Sequence, residues 1–122
     1  MQNQAVEAYQ QAARQTVPPR DLEANLLSKA AAHFQRIRND WDHLGDELPT
    51  ALIFNRKLWT ILMTSVTSED NQLPALIRQN VANLGVFVMN QTVSIMSNPR
   101  RETLNSLIKI NRELAAGLLG RA

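Results

Sequence analysis

The chain has 122 residues, which is enough for one domain built around one hydrophobic core. Its composition, 44% hydrophobic and 20% charged, excludes a disordered or fibrous protein. It contains no cysteine, which excludes disulfides, a thiol nucleophile and thiolate metal sites. Thirteen basic and eleven acidic residues give a net charge of +2, so a strong field for binding polyanions is not indicated.

The ends and the apolar stretches of the chain carry no targeting signal. The N-terminus lacks the basic and apolar regions of a signal peptide. The uncharged stretch from Gln79 to Pro99 is long enough to span a membrane, but its many amide and hydroxyl side chains make it too polar. We therefore expect a soluble, cytoplasmic protein that does not bind membranes.

The apolar residues recur at intervals of three and four along the chain, which is the period of a helix. The pattern predicts an all-α, single-domain helical bundle over residues 1–122. About five helices are expected, at residues 3–15, 19–44, 47–67, 73–97 and 99–119. Pro18-Pro19 forms a stiff, non-helical joint after the first helix, which either packs in the bundle or detaches to bind a partner.

Several residues with strong positional preferences mark the helix ends. Gly45 suits the C-terminal cap of the second helix, and Asp46 suits the N-cap of the third. Pro74 is expected in the first turn of the fourth helix. Asn98-Pro99 is expected to supply the N-cap and first position of the fifth helix.

The fourth predicted helix has an unusual composition. It is apolar on every side between Leu84 and Met89, which places it at the centre of the bundle. Gly85 within this stretch predicts that a neighbouring helix approaches closely. The alternative is that its apolar and amide side chains form a surface for an uncharged partner helix.

No arrangement of residues predicts catalysis. The two histidines, His33 and His43, lie on or beside the second helix, and no nucleophile elbow, phosphate loop or dinucleotide fingerprint is present. We expect no enzymatic activity and no cofactor. The best candidate metal site is an acidic cluster, which consists of Asp40, Asp42, His43, Asp46 and Glu47. Its spacing fails as an EF-hand and its members suit helix caps, so no bound metal is predicted.

Two further features bear on partners. Arg56-Lys57 beside Trp59 is the nearest approach to a nucleic-acid patch, but Trp59 falls on an apolar stripe, so direct RNA contact is not expected. Asn55 and Asn111 also fall on apolar stripes. They either bond to a turn or a helix end within the fold or line a groove that a partner helix enters.

Several motifs together resemble the FlaF family of flagellin-synthesis regulators. They are Leu58-Trp59-Thr60, Asn71-x-Leu73-Pro74, Leu76-Ile77-Arg78, Leu84-Gly85 and Leu107-Ile108-x-Ile110-Asn111-Arg112. Tyr9 and the stretch Arg20-Asp21-Leu22-Glu23 are more weakly similar to the family. The resemblance extends over about residues 5–119. The chain departs from the family pattern in the bulky Ile53-Phe54 pair and in its many amides between Gln79 and Asn98.

The resemblance implies a small, helical, non-enzymatic protein of the cytoplasm. Such a protein binds unassembled flagellin as a chaperone-like secretion adaptor, beside FlbT, a second regulator that acts on flagellin messenger RNA. The positions that carry the family signature, or contact the partner, are Leu58, Trp59, Asn71, Leu73, Pro74, Arg78 and Asn111. Asn71 and Pro74 are expected to shape a turn, Trp59 and Leu73 to pack beneath it, and Arg78 to hold it or to pair with a partner.

Three hypotheses on function remain open at this point. The first is an adaptor that binds flagellin, and the family resemblance favours it. The second is a regulator that acts on flagellin messenger RNA, directly or through FlbT, with a strong dependence on salt. The third is a helical homo-oligomer that buries its exposed stripe in a second copy.

Overall fold

The structure is a computed structural model that describes residues 19–120. Its four long helices are α1 (Pro19–Asn39), α2 (Leu48–Val66), α3 (Ala75–Ser97) and α4 (Leu104–Leu118). The described range contains no strand, so the predicted all-α fold is confirmed. The predicted helix at residues 3–15 lies outside the described residues. None of the helices in residues 19–120 has the length and apolarity needed to cross a membrane.

The connection between α1 and α2 is itself helical. The chain turns at Asp40 and continues as the single helical turn Trp41–Leu44 and the 3₁₀ turn Gly45–Glu47, so the helix predicted at 19–44 is interrupted. Asp40 has a non-helical φ of −132° and ψ of 54°. Its Oδ1 lies 2.7 Å from Nδ1 of His43. The backbone hydrogen bonds nevertheless continue through this turn, because the N–H of Asp40 donates to the carbonyl oxygen of Arg36 at 3.0 Å and the N–H of Leu44 to that of Asp40 at 2.8 Å.

Two of the predicted helix caps, the N-caps Asp46 and Asn98, are wrong. Gly45 lies at the C-terminal cap position after Leu44, as predicted, although its φ of −56° is right-handed and does not require a glycine. Asp46 lies within the 3₁₀ turn before α2. Asn98 follows the last residue of α3, and a second 3₁₀ turn, Arg101–Thr103, leads into α4. Both connections enter the next helix through 3₁₀ turns, which bond its first N–H groups without a capping side chain.

The core lies between α1, α2 and α4. α1 makes its most extensive contacts with α4 and also packs against α2. The largest fully buried apolar side chains of these three helices are Leu27, Phe34, Ile37, Leu52, Leu58, Trp59, Leu104 and Leu107. They occur at helical spacing, so each of the three helices buries one continuous stripe.

α3 lies at the edge of this arrangement. It packs mainly against α2 and contacts α4 only slightly. Its buried residues form one stripe, which consists of Val81, Gly85, Val88, Thr92 and Ile95. The predicted central position of this helix is therefore wrong. Its apolar residues on the other sides have no helix to cover them, and Val86 and Phe87 are 55% and 46% exposed.

Gly85 marks a close approach of α3 to α2, which agrees with the prediction. A Cβ atom added at Gly85 would lie 2.6 Å from Cγ of Met63 and closer still to its Sδ. Real carbon atoms do not approach so closely. The glycine therefore allows the side chain of Met63 to pack directly against the backbone of α3.

Replacing Gly85 with alanine is expected to lower the free energy of unfolding by about 1 kcal/mol, because overpacking outweighs the gain in helix propensity. In a Met63→Ala background the clash is absent, so the same replacement should stabilise the fold by about 0.5–1 kcal/mol. Urea unfolding of the four variants, followed by circular dichroism, measures both effects. The same sign in both backgrounds would contradict this account.

Candidate functional site

Two amides that the sequence places on apolar stripes meet inside the core. Nδ2 of Asn111 donates to Oδ1 of Asn55 at 2.7 Å, and Nε1 of Trp59 donates to Oδ1 of Asn111 at 3.0 Å. All three side chains are fully buried. The hydrogen bonds join α2 to α4, so these amides bond within the fold, but to each other and to Trp59 instead of to a turn or a helix end. Nδ2 of Asn55 has no partner, which leaves one donor of this network unsatisfied.

Asn71 organises the turn between α2 and α3. Its Nδ2 donates to the carbonyl oxygen of Ser65 at 3.1 Å and to Oγ of Ser65 at 3.2 Å. Its Oδ1 accepts the N–H of Leu73 at 2.9 Å, which forms an Asx turn. Pro74 follows with φ −56° and ψ 149°, and α3 begins at the next residue. Asn71 and Pro74 therefore shape this turn as expected.

The seven predicted signature residues fall into two groups in the structure. Leu58, Trp59 and Asn111 are fully buried in the core, where no partner can touch them unless the fold opens. The other four, Asn71, Leu73, Pro74 and Arg78, lie at the turn and the start of α3. Nε of Arg78 is buried without a hydrogen-bond partner. The role of these residues in binding a partner stays a prediction.

The exposed side of α3 is the most apolar surface of the described chain. Within residues 19–120, all of the exposed large apolar side chains belong to α3. We call five of them the outer face, and they are Leu76, Val86, Phe87, Val93 and Met96, between 46% and 74% exposed. Asn80, Asn83 and Asn90 are exposed among them, and no charged residue follows Arg78 in the helix. Such a concentration of apolar side chains indicates an interaction surface.

A groove of about 330 Å³ separates the first half of α3 from the second half of α4. We call it the α3–α4 groove. Its lining residues are Leu73, Ile77, Leu84, Ile110, Glu113, Leu114, Gly117 and Leu118. Glu113 is the single charged residue among them, so the walls of the groove are almost entirely apolar.

Glu23 is a buried acid, to which the sequence analysis assigned no role of its own. It is 5% exposed and lines a cavity of about 310 Å³ together with Arg20, Ser65, Asn71 and Leu73. Burial raises the pKa of Glu23 to about 7, and the positive charge of Arg20 partly opposes this shift. No local sequence pattern signals this burial, because it depends on the turn that packs over α1.

The acidic cluster between residues 40 and 47 does not converge on one point. Nε2 of His33 lies 2.7 Å from Oε1 of Glu47, whereas Nδ1 of His43 lies 2.7 Å from Oδ1 of Asp40. The structure thus divides the cluster into separate contacts between pairs of side chains. Among residues 19–120, no group of three or more histidine or acidic side chains could hold a metal ion.

The tryptophan beside the basic pair on α2 is not accessible. Arg56 is exposed and Lys57 is half-buried, but Trp59 is fully buried. A buried ring cannot stack on a base, so the arrangement does not form a platform for single-stranded nucleic acid.

Sequence reasoning favoured a central position for α3, with a partner surface only as the alternative, because the run around Gly85 is apolar all round. A signal was nevertheless present. Asn80, Asn83 and Asn90 recur at intervals of three and seven, which places all three amides on one side of the helix. Polar residues confined to one side mark the side that faces solvent.

The four helices, the buried amide network and the apolar outer face define a small all-α domain. In the comparison with known protein families, residues 5–118 match the family described as flagellar protein FlaF. The match spans nearly the whole chain, so this chain belongs to the FlaF family and is a flagellar-related protein. Comparisons with curated proteins and with solved structures gave no match.

Proposed function

We propose that this chain is a non-enzymatic regulator of flagellin synthesis and flagellum assembly, which binds unassembled flagellin as a chaperone-like secretion adaptor. The observation that supports this proposal best is the concentration of exposed large apolar side chains on α3. Exposure of apolar side chains to water is unfavourable, so a partner that buries this surface is bound by the hydrophobic effect.

The outer face suits an amphipathic helix in length and chemistry. α3 has 23 residues, a length of about 34 Å at 1.5 Å per residue. Amphipathic helices bind grooves and faces of this kind through apolar residues spaced three, four and seven apart. The termini of flagellin are amphipathic helices, which self-associate unless they are covered. Met96 adds an adaptable contact, and the exposed amides offer hydrogen bonds without selecting for charge.

The charge distribution favours a protein partner over RNA. The outer face carries no charged side chain, and α3 has none after Arg78. A complex formed here should therefore depend only weakly on ionic strength. An RNA complex, in contrast, loses affinity by roughly one power of salt concentration for each phosphate that is neutralised.

Replacing Phe87 with aspartate is expected to weaken flagellin binding at least about 30-fold, because it removes an aromatic contact and places a charge in an apolar interface. Phe87 is 46% exposed, so the fold should tolerate the change. Isothermal titration with monomeric flagellin, at low and at high salt, measures the affinity. Ser28→Asp is the matched control, since it adds the same charge at an exposed position of α1.

Two results would contradict the proposal. They are the absence of a complex with the native chain, and equal affinities for Phe87→Asp and Ser28→Asp. Strongly salt-dependent binding of flagellin messenger RNA, directly or in the presence of FlbT, would support the alternative regulator instead. Light scattering of the free protein would identify a homo-oligomer, in which a second copy covers the outer face.

A further inference from the structure

A pocket between α1 and α2 brings basic side chains beside an aromatic ring. Lys29, His33 and Arg36 of α1 line it, together with Thr50 and Phe54 of α2. We call it the α1–α2 pocket. Its volume of about 330 Å³ lies within the range of about 300–1,000 Å³ that is typical of ligand pockets. The pocket is therefore large enough to receive side chains of a partner.

The helical period explains why these residues meet. Lys29, His33 and Arg36 follow one another at intervals of four and three, so they share one side of α1. Phe54 and Lys57 are three residues apart on one side of α2, and both are half-buried. Basic residues of both helices therefore lie beside one aromatic ring.

The positive charge of the pocket is not balanced by nearby acids. Nε2 of His33 lies 2.7 Å from Oε1 of Glu47. Among residues 19–120, no carboxylate oxygen lies within 4.0 Å of a side-chain nitrogen of Lys29 or Arg36. Both residues are exposed, so an anionic group can reach them. Because the whole chain has a net charge of only +2, these two cations are a local excess of positive charge.

Phe54 gives the pocket an apolar wall. Nζ of Lys29 lies over its ring, 5.9 Å from the centroid, which is the geometry of a cation–π contact. The ammonium group is thereby held next to an apolar surface. A carboxylate can pair with this ammonium group while an apolar side chain beside the carboxylate packs on the ring. Thr50 adds an exposed hydroxyl group, which can donate a hydrogen bond.

The α1–α2 pocket is separate from the outer face of α3. Met63 is the residue of α2 that packs against the backbone of α3 at Gly85. It follows Phe54 by nine positions, which is about two and a half turns of helix, so the two side chains lie on opposite sides of α2. A ligand in the pocket therefore leaves the outer face open.

We propose that the α1–α2 pocket is a docking site for an acidic segment of a protein partner. Carboxylates of the segment pair with Lys29 and Arg36, and an apolar side chain between them packs against Phe54. Nucleic acid fits less well, because Lys29 already lies over a face of the ring on which a base would stack. This inference goes beyond the proposed function and does not depend on it, since it concerns a different surface.

A titration with a short acidic peptide tests the proposal. The probe is the blocked pentapeptide alanine-glutamate-leucine-glutamate-alanine, and glutamines replace both glutamates in the control peptide. In spectra of the isotope-labelled full chain, we expect the acidic peptide to shift the amide signals of residues 29–36 and 50–57. The control peptide should bind at least about 10-fold more weakly, because it lacks the two ion pairs. High salt should also weaken binding of the acidic peptide.

Lys29→Glu is expected to weaken binding of the acidic peptide at least about 10-fold, because repulsion replaces attraction. The side chain is exposed, so the fold should tolerate the change. Lys109→Glu is the matched control, since it makes the same charge reversal at an exposed position of α4 outside the pocket. It should change the affinity by less than about twofold. Equal effects of the two substitutions would mean that the peptide responds only to net charge, and would overturn the proposal.

The same spectra distinguish other occupants of the pocket. No amide shifts at millimolar peptide, or equal affinities for the two peptides, would overturn the proposal. Tighter binding of an oligouridylate strand than of the acidic peptide would overturn it in favour of nucleic acid. Shifts of the same signals with protein concentration alone would overturn it in favour of a second copy. No flagellin is present, so the result stands whether or not flagellin binds the outer face.

Discussion

Replacing Trp59 with alanine is expected to lower the free energy of unfolding by about 5 kcal/mol. Removing a fully buried aromatic side chain costs about 3–5 kcal/mol, and the loss of its donor leaves Oδ1 of Asn111 unsatisfied, which costs about 1–3 kcal/mol more. Domains of this size have total stabilities of about 5–15 kcal/mol. The variant should therefore be largely unfolded or close to it, as measured by urea unfolding with circular dichroism.

Trp59→Phe separates the hydrogen bond from the packing. Phenylalanine keeps most of the buried apolar volume but has no donor for Asn111, so the expected loss is about 1–3 kcal/mol. Trp41→Phe is the matched control at a half-buried position, where we expect a change within about 0.5 kcal/mol. If Trp59→Phe proves as harmless as this control, the buried amide network does not contribute to stability.

Stability is expected to fall as the pH rises from about 4.5 to above 7, because Glu23 is held protonated by the fold. Its pKa is raised from 4.5 to about 7, so between these values the folded state binds a proton that the unfolded state has released. The contribution of Glu23 to the free energy of unfolding is complete below its pKa in the unfolded chain. This contribution is lost as the pH rises through its pKa in the folded chain, which is about 7. We expect the free energy of unfolding to fall by about 2 kcal/mol over this range. This value is smaller than the full pKa shift would give, because solvent screens a charge in this cavity.

Urea unfolding at pH 4.5, 6 and 8 measures this dependence. Glu23→Gln should flatten the profile, because the amide stays neutral at every pH. Glu69→Gln is the matched control, since Glu69 is exposed in the turn after α2. Arg20 on the same helix and Asp70 across the cavity are the other charged groups that face Glu23. A slope that persists in Glu23→Gln would assign the pH dependence to another group.

Much of the secondary structure could be predicted from the sequence. The helices expected at 47–67 and 73–97 lie at Leu48–Val66 and Ala75–Ser97, which is a difference of at most two residues at each end. Helical periodicity and proline positions are local properties, so they can be read without tertiary contacts. The N-cap predictions at Asp46 and Asn98 failed because both connections enter the next helix through 3₁₀ turns, which these side chains do not encode by themselves.

The tertiary structure alone decided which side of α3 is covered. The stripe around Gly85 is apolar on every side, and only the one-sided packing of α3 on α2 left Phe87 exposed and Val88 buried. The bond between Asn55 and Asn111 joins residues 56 positions apart, and Glu23 is buried in a cavity that residues 65–73 of the α2–α3 connection help to line.

The sequence by itself determined the all-α fold, the ends of α2 and α3 and the motifs of the FlaF family, whereas α1 ends and α4 begins five residues away from the predicted positions. The exposed outer face, the groove and the buried acid required the structure. The physical reason is that hydrophobic periodicity records the chain's local preferences, whereas burial depends on which other helix occupies the space beside each face.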